Sequence, residues 1–443
     1  MNMNRFWLLE VLLALVALPL SPACFETRAG DVSEVRAETA EPDVLDLQGQ
    51  SDAGDFVPAR VLRTQGHLRF HTIRQSVVLP LELSIALYFN AGLVLSTDET
   101  KLLVASSART NLLVLDADTL TILDVIPTSA SIDNLQVVDE GRFVVAWATF
   151  GRRSKSGSKY RQARDLLILD RSDFSLKHTV SVGENIGAVA DVSQGRVLVS
   201  AVQSETIALV DLDKGEVISQ QSTANEKFSP GDVAVRPDSK IAMVSGGVFR
   251  QQMLGGPQTQ SRATGSQVLL LDPLDPANHA RMTFFPKLQH PRGLLFHPNG
   301  RHVFVADDQQ NALVILDWVA RRTQETIALA DAPEDLGFFP GGQRLWIRHS
   351  GAPMLSVVDL ENGRIKEVTL PNVAMTQPVF SPDGEVFYVG TAMPSVIAVI
   401  SVETLKLVDE IELPIFPHQL QITRDGKRLF AALGAGINVI RVE

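Results

Sequence analysis

The sequence predicts an all-β fold, a single β-propeller of eight four-stranded blades, and three observations carry that prediction. A turn phrase recurs: FSPDGEVFYVG at 380–390, GLLFHPNGRHVFVA near 300, LQITRDGKRLFAAL near 425 and GLVLSTDETKLLVA near 95. An apolar run, usually closing on aspartate, follows each phrase. The repeat length settles near 42 residues, which is one propeller blade.

The first two strands of each unit flank a turn. The turns lie at Thr97-Asp98, Asp139-Glu140-Gly141, Ser193-Gln194-Gly195, Pro237-Asp238, Pro298-Asn299-Gly300, Pro340-Gly341-Gly342, Pro382-Asp383-Gly384 and Arg424-Asp425-Gly426. Proline presets φ, Asp or Asn bonds its own backbone, and glycine accepts the positive φ of a tight hairpin. The third strands end at Asp116, Asp170, Asp211, Asp272, Asp317, Asp359, Ser401 and Arg441, at intervals of 54, 41, 61, 45, 42, 42 and 40 residues. Six aspartates at equivalent strand ends are expected to accept backbone N–H groups in Asx-type turns rather than to act as ligands or acids. The fourth runs, such as LTILDVI and LKLVDEIEL, alternate and are more polar, as outer strands facing water should be. The last unit lacks its fourth strand, and LRFHTIRQSVVLP at 68–80 has the right length to supply it. The last blade is then closed by an N-terminal strand, which removes an exposed sheet edge. Residues 66–443 form the propeller on this reading. Seven blades is the alternative, if the divergent unit at 188–195 or the first unit is misassigned.

The chain opens on a different composition. MNMNRFWLLEVLLALVALPLSPAC carries one arginine, then an apolar run of about fifteen residues, where a bilayer span needs roughly 20. Residues 1–23 therefore read as a secretory signal peptide. Ser21-Pro22-Ala23-Cys24 resembles a bacterial lipobox, although serine holds the place where leucine is preferred. Cys24 is the single cysteine of the chain, so no internal disulfide exists, and lipidation of Cys24 is the expectation. A lipidated chain would attach to the membrane through its N-terminal lipid only. Residues 25–60 hold nine acids against three arginines and read, with Cys24, as an acidic, disordered tether over 24–60. The alternative is an N-terminal arm packed on the domain. The formal charge of −11 does not favour a general nucleic-acid binder.

The repeat resembles the YVTN-type β-propeller family, most clearly in FSPDGEVFYVGTAMPSVIAVISVETLKLVDEIEL, where Tyr388-Val389-Gly390-Thr391 stands in place of the namesake tetrad. The resemblance covers most of 90–443 and implies a secreted or envelope propeller. Lactonase-like propellers share this look, but no motif here is specific enough to carry their active residues over. Phe25 after the cysteine, by the same kind of analogy, implies an outer-membrane rather than an inner-membrane address.

Strand direction narrows the search for a site. With strands a to d running from the channel outward, the d–a and b–c loops share one face. That face should hold Asp133, Asn134, Asp232, His290, Arg292, Glu334, Asp335, Gln377, His418 and Gln419 around the channel mouth. It also carries two b–c insertions, 151–164 and 250–267. The first holds Arg152, Arg153, Lys155, Lys159, Tyr160 and Arg161, a local reversal of charge in an acidic protein and a candidate anion or partner loop; its plain alternative is a solvated loop. His290 and His418 each neighbour a proline. Together with Glu334 or Asp335 they offer a metal or acid–base reading, against the simpler expectation that each ring bonds nearby backbone. His297 and His302 are expected to face solvent on the opposite face. No GxSxG elbow, Walker loop or dinucleotide fingerprint is present, and no cofactor is expected. The leading expectation is a monomeric, envelope-anchored binding propeller for an envelope protein or anionic glycan. The alternative is a lactonase-like hydrolase or metal-dependent enzyme at the channel mouth.

Overall fold

The computed structural model describes residues 71–78, 91–106, 110–148, 164–224, 228–247, 267–279, 281–285, 288–433 and 436–442. All of them lie in one compact unit, Gly54–Glu443. Cys24, the signal and tether segments, and the insertions at 151–163 and 250–266 lie outside the described residues.

Eight four-stranded antiparallel sheets follow one another along the chain. Blades 1 to 7 are built in sequence order from residues 91–127, 134–181, 186–222, 229–284, 291–328, 333–369 and 379–412. Blade 8 takes three strands from 417–442 and its fourth from His71–Val78. That N-terminal strand pairs antiparallel with Gly436–Val442, from His71 opposite Val442 to Val78 opposite Gly436. The structure is therefore an eight-bladed β-propeller, and the eight-blade count holds over seven.

The hydrophobic pattern explains the ring. The b and c strands are buried on both faces, as in FVVAW of blade 2 and VFYVG of blade 7, so a lone blade would leave two apolar surfaces in water. Neighbours cover them. One core cluster joins blades 1 and 2 through Val114, Leu103 and Val144, and another joins blades 4 and 5 through Phe285, Phe296 and Val303. Leu93 and Leu95 of blade 1 pack with Phe430, Ile437 and Val439 of blade 8, which closes the circle. Each buried Leu, Ile, Val or Phe is worth about 1.5–3 kcal/mol relative to exposure, so the ring is held mainly between blades. The d strands are far wetter, with alternating exposure in EVISQQS of blade 3.

The strand-end aspartates do what their spacing implied. Asp116, Asp170, Asp211, Asp272, Asp317 and Asp359 each accept a backbone N–H two or three residues on, at 2.8–2.9 Å. The hairpin glycines Gly300 and Gly384 sit at φ of 67° and 73°, which only glycine enters without strain.

Candidate functional site

The a strands line the channel, and their first residues form its mouth on the d–a and b–c face. Strand register puts Asp232, Asp335 and Gln419 at equivalent places, each directly before an apolar residue that pairs with strand b. Arg292, Glu334 and His418 occupy the preceding place in blades 5, 6 and 8.

Two of these side chains tie blades together. An inner strand is a sheet edge whose outward N–H groups lack a partner strand. Asp232 Oδ2 accepts the Leu294 N–H of blade 5 at 2.8 Å, and Gln419 Oε1 accepts the Leu93 N–H of blade 1 at 2.8 Å. Gln421 repeats the link to the Leu95 N–H at 3.0 Å. Gly293 allows the close approach between blades 5 and 6, since a Cβ there would lie 2.8 Å from Leu336 Cδ2.

Asp335 escapes this role for a chemical reason. The corresponding residue of the next blade is Pro378, which has no N–H to offer. The Asp335 carboxylate instead accepts the Gln377 Nε2–H at 2.9 Å and lies 3.9 Å from Arg348 Nε. It belongs to a polar chain across blades 5, 6 and 7. His290 Nδ1 meets Asp308 Oδ1 at 2.5 Å, Arg292 Nε lies 3.8 Å from Asp308 Oδ2, and Arg292 Nη2 donates to Glu334 Oε1 at 3.2 Å. Arg348 Nη1 lies 3.3 Å from Glu334 Oε2. Arg292 is well exposed, whereas the Arg348 side chain is only 19% exposed.

Burial sets the electrostatics. The Asp232 carboxyl is pushed up to about 7 by desolvation, against the two backbone donors that favour its charge, and the negative charge of Asp335 adds to the rise. The residue is only partly buried as a whole, yet its carboxylate is held by the Leu294 and Val233 N–H groups. Asp335 is raised too, again by burial, with Arg348 and Gln377 opposing. Burial lowers the pKa of His418.

The structure brings His290, Arg292, Glu334, Asp335 and Gln377 together, sets Asp232 near enough to feel the charge of Asp335, and leaves Asp133 and His418 apart. Asp133 accepts from Asn134 Nδ2 at 2.6 Å in blade 2, and His418 packs edge-on against Phe416 in blade 8. Neither histidine bonds nearby backbone through its ring as expected. His290 has found a carboxylate, and His418 Nε2 is buried without a hydrogen-bond partner. Among the described residues no three His, Cys, Asp or Glu side chains converge as metal ligands would. His297 corrects another expectation: it is partly buried, with its ring centroid 5.7 Å from Phe304.

Sequence reasoning missed Arg348 and Asp308. A signal for Arg348 was present. At the corresponding place in strand b, six blades carry the small residues Ala105, Ser200, Ser245, Ala306, Gly390 and Ala432. Only Trp147 and Arg348 break that column. A cleft of about 470 Å³ was also unforeseen. It opens on the opposite face between blades 2 and 3, with Arg142, Asp170, Lys177, His178 and Asp213 in its lining. Its cations are paired: Arg142 with Asp213 at 3.0 Å and Lys177 with Asp170 at 3.4 Å.

No family model matches the chain, and no curated protein matches it. Among solved structures it is similar to the computationally designed Ika8 protein, at 14% identity and a TM-score of 0.56, over 83% of this chain and all of the other. At that identity the likeness speaks for the fold alone.

Proposed function

We propose that this eight-bladed propeller is an exported, envelope-anchored binding module of the YVTN repeat type, whose d–a and b–c face engages an anionic ligand or partner. The anchor is the lipid on Cys24, and 24–60 is its tether. The observation that carries the reading is the polar chain from His290 to Gln377, which presents two arginines at the channel mouth on rigid strands of three blades. The basic insertion at 151–163 leaves blade 2 on the same face, between Trp147 and Asp165. Strand direction supports the arrangement as well. His71 pairs with Val442, at the c–d end of blade 8, so the chain from the anchor joins the ring on the face opposite the mouth.

The test is capture of acidic glycans and envelope proteins by the immobilised full chain. Deleting 151–163 should abolish capture and leave the melting temperature unchanged. Capture by the intact chain should also fade as salt rises past about 0.15 M, where the screening length is about 8 Å. Undiminished capture after the deletion rejects the reading.

One observation favours a second reading, a lactonase-like hydrolase at the mouth. The His290 imidazole is held through Nδ1 by Asp308, as a general base is held by a carboxylate in nucleophilic hydrolases. Turnover on a lactone and ester panel that disappears in His290→Ala supports it, and no turnover by the intact chain removes it.

A further inference from the structure

We infer that the group recognised at the mouth is the carboxylate of an acidic sugar, clamped by Arg348 and Arg292 in the place that Glu334 now fills. This rests on the reading of that face as a binding surface and adds the chemistry of the ligand.

The two guanidiniums are underserved. Charge-assisted N–H···O bonds run about 2.7–2.9 Å. Arg348 Nη1 lies 3.3 Å from Glu334 Oε2 and 3.4 Å from the Ala374 carbonyl, and Arg348 Nε is buried with no hydrogen bond, Asp335 Oδ2 standing off at 3.9 Å. Arg292 reaches Glu334 at 3.2 Å and Asp308 at 3.8 Å. Glu334 divides its two oxygens between the arginines and forms a two-pronged pair with neither. A buried guanidinium N–H without an acceptor is costly, and its donors are laid out to fit a planar carboxylate in parallel bonds. A carboxylate from outside is free of the strand that holds Glu334 and can take that geometry. Glu334, about a third exposed, can swing into solvent.

The surroundings choose the carrier. Asp308 and Asp335 flank the arginines, and Gln377 reaches the same carboxylate. Sugar hydroxyls can donate to those acceptors. A run of Asp or Glu side chains brings no hydroxyl donors to those acceptors, and a tetrahedral dianion would bring two charges where one planar pair of oxygens now sits.

The test is calorimetric titration of the full chain with trigalacturonate at low salt. Comparators are a sulfated trisaccharide, tetraglutamate and inorganic phosphate. Arg348→Gln should weaken trigalacturonate binding about tenfold or more, the loss expected of a charged two-pronged bond, while Glu334→Gln should tighten it about threefold by vacating the place. Opposite signs from two neighbouring substitutions are not what general damage to the fold gives. If Arg348→Gln does not fold, Arg292→Gln on the exposed arm replaces it, with weakening again expected. Trigalacturonate binding that ignores all three substitutions but vanishes on loop deletion overturns the clamp and leaves the binding face standing. Preference for sulfate, phosphate or tetraglutamate overturns the sugar carboxylate. No anion bound by the intact chain overturns both readings.

Discussion

At the residue scale, two aspartates in equivalent places have different fates because of what the next blade offers. Asp232 meets a backbone N–H and is locked into the wall, whereas Asp335 meets a proline and is left for Arg348 and Gln377. The lock has a pH signature. A carboxyl raised from 3.8 to about 7 binds its proton more tightly in the fold than in the unfolded chain. Stability from this group is therefore full below about pH 4 and is lost as pH rises through about 7. The total is on the order of 4 kcal/mol at about 1.4 kcal/mol per unit. Asp232→Asn should flatten the denaturant stability profile between pH 5 and 8, gaining at the alkaline end and losing at the acid end one bond to the Val233 or Leu294 N–H. An unchanged slope in the variant refutes this account of Asp232. The mouth position of His290, Arg292, Glu334 and Asp335 was legible from strand direction alone. Their partners Arg348 and Asp308 were not. They come from the end of a b strand and from a b–c loop, and only the closed ring sets blades 5, 6 and 7 edge to edge.

At the element scale, the sequence was most readable where local chemistry decides. The strand-end aspartates fold their own turns, so a short segment reveals them without knowledge of the ring. Asp359→Ala removes acceptors of the Glu361 and Asn362 N–H groups and should lower the melting temperature by about 1–2 °C with no effect on ligand binding. Loss of binding in this variant would show that the turn face takes part in recognition. The divergent unit at 188–195 was the hardest to place, since its hairpin is shorter and has no proline. It is an ordinary a–b pair all the same, turning at Ser193-Gln194-Gly195 with positive φ at the last two residues. The inter-blade links of Asp232, Gln419 and Gln421 could not be read locally, because each joins residues 62 or 326 positions apart.

At the scale of the whole molecule, the ring gives the chain two unlike faces. One holds the hairpins, the aspartate turns and the start of the closing strand. The other holds the mouth, its arginines and the stem of the basic insertion. The most direct measurement is an experimental structure of the full chain soaked with trigalacturonate. Density for a carboxylate between Arg348 and Arg292, with Glu334 turned away, is the expected result. Density only in the cleft between blades 2 and 3, beside Arg142 and Lys177, would contradict it.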